Sequence, residues 1–110
     1  MEMLNRVEIK GRIGAVKVTK LSDTSFARIS VLTEYMYKDQ NGQVYIESTW
    51  HTIVIWEGSA ASAETIESLA KGDAVHVIGR IRNQRYTDSE GVERAIPEIV
   101  AQQFEKMSNE

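Results

Sequence analysis

The segment Trp50-His51-Thr52-Ile53-Val54-Ile55-Trp56 holds both tryptophans of the chain and one of its two histidines. Read as a strand, it alternates faces. His51, Ile53 and Ile55 point one way; Trp50, Thr52, Val54 and Trp56 point the other. A barrel strand needs one apolar face. Here both are apolar, and the second carries an indole at each end. At about 3.3 Å per residue the rings stand roughly 20 Å apart, room for several stacked nucleobases. The same spacing also suits one tryptophan in the core and the other beneath a helix or in a subunit contact. Tyr35 and Tyr37 precede Lys38, and Tyr86 follows Arg80, Arg82 and Arg85. Rings interleaved with cations are what single-strand binding requires, because rings stack on bases of any sequence while cations track phosphates. Arg80 and Arg82 share a face by parity, and Arg85 joins them only if the strand bulges. The plain alternative for Arg82–Tyr86 is a solvated hairpin arm, and Tyr35 reads as a solvent-side ring.

Catalytic chemistry has little to work with. Asp88, Glu90 and Glu93 cluster in a turn rather than converging in a cleft, where an acid pair would have to stand. Gly11-Arg12-Ile13-Gly14 is followed by no lysine-serine or lysine-threonine pair and lies in a strand, so it is not a phosphate loop. His51 and His76 are far apart in sequence, and each reads as an ordinary strand or interface histidine. The absence of cysteine excludes disulfides, thiolate metal sites and thiol nucleophiles. A nuclease on such strands would need acids and an arginine around a calcium-like ion, and no such set assembles. No enzyme activity, cofactor or metal is expected.

These residues belong to a chain of 110, the size of one domain. Its 42% hydrophobic and 26% charged residues exclude disorder, collagen and coiled coil. No run of 18 apolar residues offers a membrane span, and the start Met1-Glu2-Met3-Leu4-Asn5-Arg6 lacks the apolar run of a signal peptide. A cytoplasmic, nucleoid-associated protein is expected. The net charge of −3 argues mildly against nucleic acid. Its distribution argues otherwise: residues 1–20 and 76–87 each carry net +3, and residues 57–73 carry −3.

Five strand-like segments and one helix position the rings. The first strand, about Asn5–Thr19, is interrupted by Gly11 and Gly14, which suggests a bulge or sharp bend. The second covers about Ser25–Tyr37 and the third about Val44–Trp56, joined through the turn Asp39-Gln40-Asn41-Gly42. A helix is expected over Ser59–Lys71, with Ala63, Ile66, Leu69 and Ala70 on one face and Gly72 as its stop. The fourth strand covers about Ala74–Arg85. The turn Asp88–Gly91 leads to the fifth, about Val92–Ala101, where Pro97 marks an edge or bulged position. Residues from Gln102 onward are polar and expected to fray. The order β-β-β-α-β-β fits an all-β, five-stranded OB barrel of Greek-key type. Residues 1–104 form this domain, and residues 105–110 a short polar end.

On these residues the chain resembles the bacterial single-stranded DNA-binding proteins. The matching pieces are Asn5-Arg6-Val7, Gly11-Arg12-Ile13-Gly14, Trp50-His51-Thr52-Ile53-Val54 with Trp56, Lys71-Gly72, Val77-Ile78-Gly79-Arg80-Ile81-Arg82, Arg85-Tyr86-Thr87-Asp88, Gly91 and Glu98-Ile99-Val100-Ala101. Order and spacing are kept over nearly the whole chain. The resemblance implies base stacking on Tyr37, Trp50, Trp56 and Tyr86, and phosphate contacts from Arg6, Arg82, Arg85 and, less directly, Lys71. It implies a homo-oligomer, usually a homotetramer, with His51 near a subunit contact. Ala15-Val16-Lys17-Val18 departs from the Asp-Pro-Glu-like segment that family members often carry there. The family's linker and acidic, phenylalanine-ended tip do not occur among residues up to Ser108-Asn109-Glu110, so the resemblance carries no firm expectation that replication and repair proteins are partners. The expected function is binding of single-stranded DNA without strong sequence preference, protecting it in replication, recombination and repair. Two alternatives are an OB-fold accessory protein of replication restart, dimeric and acting mainly through protein contacts, and an oligomeric scaffold whose tryptophans serve only as interface.

Overall fold

In a computed structural model, which describes residues 1–107, the elements follow the expected order. Strand β1 spans Val7–Lys20, β2 Ser25–Lys38, β3 Val44–Trp56, helix α1 Ala63–Ser68, β4 Ala74–Thr87 and β5 Glu93–Lys106. The strands close into a barrel in the order β1-β2-β3-β5-β4. Neighbours are antiparallel except β3 and β5, which meet in parallel at Ile53 with Ile99 and Val54 with Val100. This is the OB arrangement, with the helix between β3 and β4.

Alternation along the strands decides which residues fill the barrel. Ile29 and Val31 of β2, Ile53 and Ile55 of β3, and Val75 and Val77 of β4 are fully buried in one cluster. Ile66 and Leu69 of the helix segment join that cluster. Each such aliphatic side chain contributes about 1.5–3 kcal/mol by leaving water.

β1 pairs with β2 along its second half and with β4 along its first, so it must bend. The two glycines expected to break this strand make the bend. The register shifts between Ile13 and Ala15, at Gly14. At Gly11 a Cβ would stand 2.2 Å from the carbonyl oxygen of Leu32, so no other residue fits without moving β2.

Beyond the barrel, β2–β3 and β4–β5 continue as two hairpin arms. They raise the radius of gyration to 16.3 Å, against about 13 Å for a compact chain of this length. Both tips are built alike. Asp39 Oδ1 accepts from the N–H groups of Asn41 and Gln43, and Asp88 Oδ1 from those of Glu90 and Val92. Gly42 and Gly91 close the turns at φ 79°. Pro97 lies on the second arm, opposite Asn83 and before β5 reaches β3, so its missing N–H costs the ladder nothing.

Two expectations need correcting. The helix is six residues rather than about thirteen. Gly58, at φ 82°, turns the chain back on itself, and the Ser62 side chain caps the helix by accepting from Thr65 N–H. Leu69 is already extended, and Asp73 accepts the N–H of Ala70. The polar stretch from Gln102 is strand as far as Lys106. Phe104 packs on the core, Glu105 lies opposite His76, and Lys106 pairs with Asp73 at 3.3 Å. Polar residues on the solvent side of a paired strand hide that strand from a hydropathy reading. The expected fraying of Ser108–Glu110 lies outside the described residues.

Candidate functional site

Register puts the rings in place. Counting outward from the Asp39–Gly42 turn sets Phe26 opposite Trp56, Arg28 opposite Val54, Ser30 opposite Thr52 and Leu32 opposite Trp50. These alternate positions share the outer face of the β2–β3 sheet. Trp56 is half-buried and lies against Phe26, ring centroids 4.6 Å apart at 39°. Trp50 is 59% exposed. Its indole rests on β1: a Cβ on Gly14 would come within 2.4 Å of Trp50 Cζ3 and 2.6 Å of Cη2. The bulge glycine is therefore the seat of the ring. The two tryptophans differ in support, one backed by a second ring and one by bare backbone.

The β4–β5 arm forms the opposite wall. Arg82, Gln84 and Tyr86 alternate on one side of β4, facing Glu98, Ile96 and Arg94 of β5. Two adjacent clefts separate this arm from β3, and Thr52, Ile96 and Glu98 line both. The larger, about 470 Å³, has Trp50 and His51 at its edge. The other, about 390 Å³, has Tyr86 and Arg28. Trp50 and Tyr86 thus stand at adjacent clefts that share Glu98, the ion-pair partner of Arg82, with Trp56 further along β3.

Tyr37 is elsewhere. By parity it stands on the other face of the β2–β3 ribbon, in a ladder with Tyr35 at 6.2 Å and Tyr45 at 5.5 Å. Tyr35 is exposed, as expected, but belongs to this ladder. Arg85 does not join Arg82. The single register shift between β4 and β5 falls at Ile78/Gly79, not in the arm, so Arg85 stays on the opposite side and pairs with Glu93 at 3.1 Å. Arg6 is exposed beside Asn5, whose side chain bonds both the N–H and the C=O of Ile81 and so fastens the N-terminus to β4. Lys71 is exposed on the turn after α1, and the neighbouring Gly72 donates to the carbonyl of Ile13, next to the Trp50 seat.

His51 sits partly buried at the barrel end, its Nε2 2.8 Å from Thr33 Oγ1. Burial holds its pKa below the ordinary histidine value. His76 is 2.6 Å from Glu8 on the outside of β1 and β4, and that hydrogen bond is the largest cause holding the Glu8 carboxyl below its usual range. No group of three or more histidine, aspartate or glutamate side chains among the described residues could hold a metal ion.

Sequence reasoning missed Phe26, Arg28, Glu98, Tyr45 and the role of Gly14 as a ring seat. Phe26 and Tyr45 were within reach, because the turn at residues 39–42 sets them opposite Trp56 and Tyr37. The contact between Arg28 and Glu98 was not, since it depends on the pairing of β3 with β5.

A profile described as the single-strand binding protein family matches residues 4–107. A single-stranded DNA-binding protein of Xanthomonas axonopodis pv. citri is 32% identical over 106 residues, covering 94% of this chain and 58% of its own. Single-stranded DNA-binding protein 1 of Xylella fastidiosa is 31% identical over 110 residues, covering 97% and 79%. The chain thus spans about three fifths of the Xanthomonas relative. Among solved structures, a Plasmodium falciparum SSB in complex with ssDNA superposes with a TM-score of 0.85 over 98% of both chains, at 22% identity.

Proposed function

The chain belongs to the single-strand binding protein family, and from that premise we propose that it binds single-stranded DNA without marked sequence preference and performs no chemistry on it. Bases stack on Trp50 and Trp56 along the outer face of β3 and on Tyr86 across the clefts, and Arg82 meets a phosphate between them. Tyr37 and its ladder take bases from a strand that continues along the first arm. Arg6, Lys71 and Arg85 stand outside the central strip and contact phosphates where the strand enters or leaves it. The observation that carries this reading is the exposed Trp50 ring, seated on Gly14 and facing a cleft whose far side leads to Tyr86. A ring used only for core packing would not lie open on bare backbone.

The protein acts as a homo-oligomer, most simply a homotetramer, with the barrel end near His51 at a subunit contact. Exposed Ile81, which lines the same cleft as Val7 and His51, supports association there. It protects exposed strands in the cytoplasm during replication, recombination and repair. No described helix is long and apolar enough to cross a membrane.

The test is tryptophan fluorescence during titration with oligo(dT), at low and high salt. Quenching that saturates at a fixed nucleotide ratio and weakens with salt is expected. Absence of quenching at low salt would overturn the proposal and leave a module that binds proteins.

A further inference from the structure

Glu98 is the only charged side chain buried among the described residues, and it lies on the outer side of β5 rather than in the barrel core. Its side chain is 2% exposed. Burying such a charge costs several kcal/mol unless it is paired and hydrogen-bonded. Two cations from two other strands do this. Arg82 of β4 places Nε and Nη2 each 2.9 Å from Oε1. Arg28 of β2 places Nη2 3.4 Å from Oε2, and the same nitrogen donates to Gln84 Oε1 at 3.0 Å. Among the described residues, Nη1 of Arg82 and Nε and Nη1 of Arg28 have no hydrogen-bond partner. Their side chains are 45% and 37% exposed, and Arg28 lines the cleft beside Tyr86 together with Glu98, the carboxylate that Arg82 holds. The Arg28 guanidinium also stands 5.7 Å from the centre of the Phe26 ring, which supports Trp56.

The cluster is thus two guanidiniums fixed on one sunken carboxylate, with net charge +1, between the ring at Trp56 and the rings at Trp50 and Tyr86. A free arginine loses roughly 2 kcal/mol of rotamer freedom when it is fixed on a ligand. Here the buried acid fixes both before any ligand arrives. The charge left over matches one phosphodiester, and the planar N–H edges suit its oxygens. We propose that Arg28 and Arg82 form a single two-pronged phosphodiester subsite, and that Glu98 is its positioning residue. The inference rests on the single-strand reading above. It runs against simple charge counting, which makes Glu98 a repulsive neighbour of the backbone.

The experiment compares wild type, R28Q, R82Q and E98Q in oligo(dT) titrations from 50 to 200 mM salt, with thermal melts as a check on folding. Glutamine keeps a donor for Glu98 while removing the charge. Each phosphate contact contributes about −0.7 to the slope of log K against log salt, or about a 2.6-fold loss over that range. R28Q and R82Q are each expected to flatten the slope by about this amount. E98Q is expected to flatten it as well, although it makes the protein more positive. A purely structural Glu98 changes the melting temperature and leaves the slope alone, and that result overturns the positioning role. Tighter binding with a steeper slope in E98Q makes the carboxylate a competitor and also overturns it. If E98Q does not fold, the arginine variants decide: unchanged slopes in both overturn the subsite. Wild type that binds while those slopes stay unchanged sinks the subsite alone, whereas wild type that does not bind oligo(dT) brings down the single-strand reading too.

Discussion

Replacing Gly14 with alanine isolates the seating of Trp50 from the stability of the barrel. The new methyl carbon would stand 2.4 Å from Trp50 Cζ3 and 2.6 Å from Cη2. Ordinary carbon contacts are about 3.5–4.0 Å, so the ring must withdraw by about 1 Å or more. Gly14 has no positive φ, so alanine suits its backbone, and the atoms it meets are the far edge of an exposed side chain. The ring can swing outward at little cost. Removing glycine also lowers the entropy of the unfolded chain, which favours folding by about 0.4–1 kcal/mol. The melting temperature is therefore expected to stay within about 5 °C of wild type. Binding is expected to suffer more. A base stacked on an aromatic ring is worth about 1–3 kcal/mol, and a displaced ring forfeits a large part of that. A loss of about 1–2 kcal/mol is roughly five- to thirtyfold in Kd for oligo(dT). The assay is fluorescence titration beside a melt, repeated with Trp50→Ala and with the double variant. If Gly14 acts through the ring, the double variant binds no worse than Trp50→Ala alone. Wild-type affinity in Gly14→Ala, together with a clear loss in Trp50→Ala, would refute the seat. Additive losses would show that Gly14 acts elsewhere.

Trp56→Ala should weaken oligo(dT) binding by about 1–3 kcal/mol through the lost stack. Unlike Trp50→Ala it should also lower the melt, because the Phe26 pairing adds about 0.5–1.5 kcal/mol; titration and melt of the two variants side by side check this. Burial depresses the His51 pKa below 6.5, so the fold prefers the neutral ring. Its contribution is complete above 6.5 and is lost as pH falls towards the folded value, so wild type should lose more melting temperature on acidification through this range than His51→Gln. Asp39 is held below 3.8 mainly by the Gln43 N–H and Asp88 mainly by Arg94. Both favour the fold as carboxylates, an effect complete above 3.8 and lost as pH falls through the lowered values. The amide proton shifts of Gln43 and Val92 should then move towards random-coil positions in acid before the barrel unfolds, as NMR can follow.

Much was legible along the chain because a hairpin is a local object. The turns at Asp39–Gly42 and Asp88–Gly91 set the register of both arms, so Trp56 meets Phe26 and Arg82 meets Glu98 by counting outward from a turn. Alternation placed Trp50 and Trp56 on one face, and the glycines of β1 announced its bend. The helix was over-read because Ala63, Ile66, Leu69 and Ala70 keep helical spacing beyond the point where Leu69 turns extended. The end of β5 was under-read because pairing with β4, rather than apolar content, makes it a strand. The assembly of the strands settled the rest. The bulge in β1 and the side-by-side order β1-β2-β3 carried Gly14 under Trp50, and the pairing of β3 with β5 carried Arg28 of β2 onto Glu98. The same assembly left Tyr37 and Arg85 off the central strip. The sequence by itself determined the elements, their order and the register within each hairpin, since these depend on neighbours a few residues from a turn. Which rings and cations share one surface was decided only by tertiary structure, because that depends on where bends, bulges and closure bring residues 36 to 70 positions apart into contact.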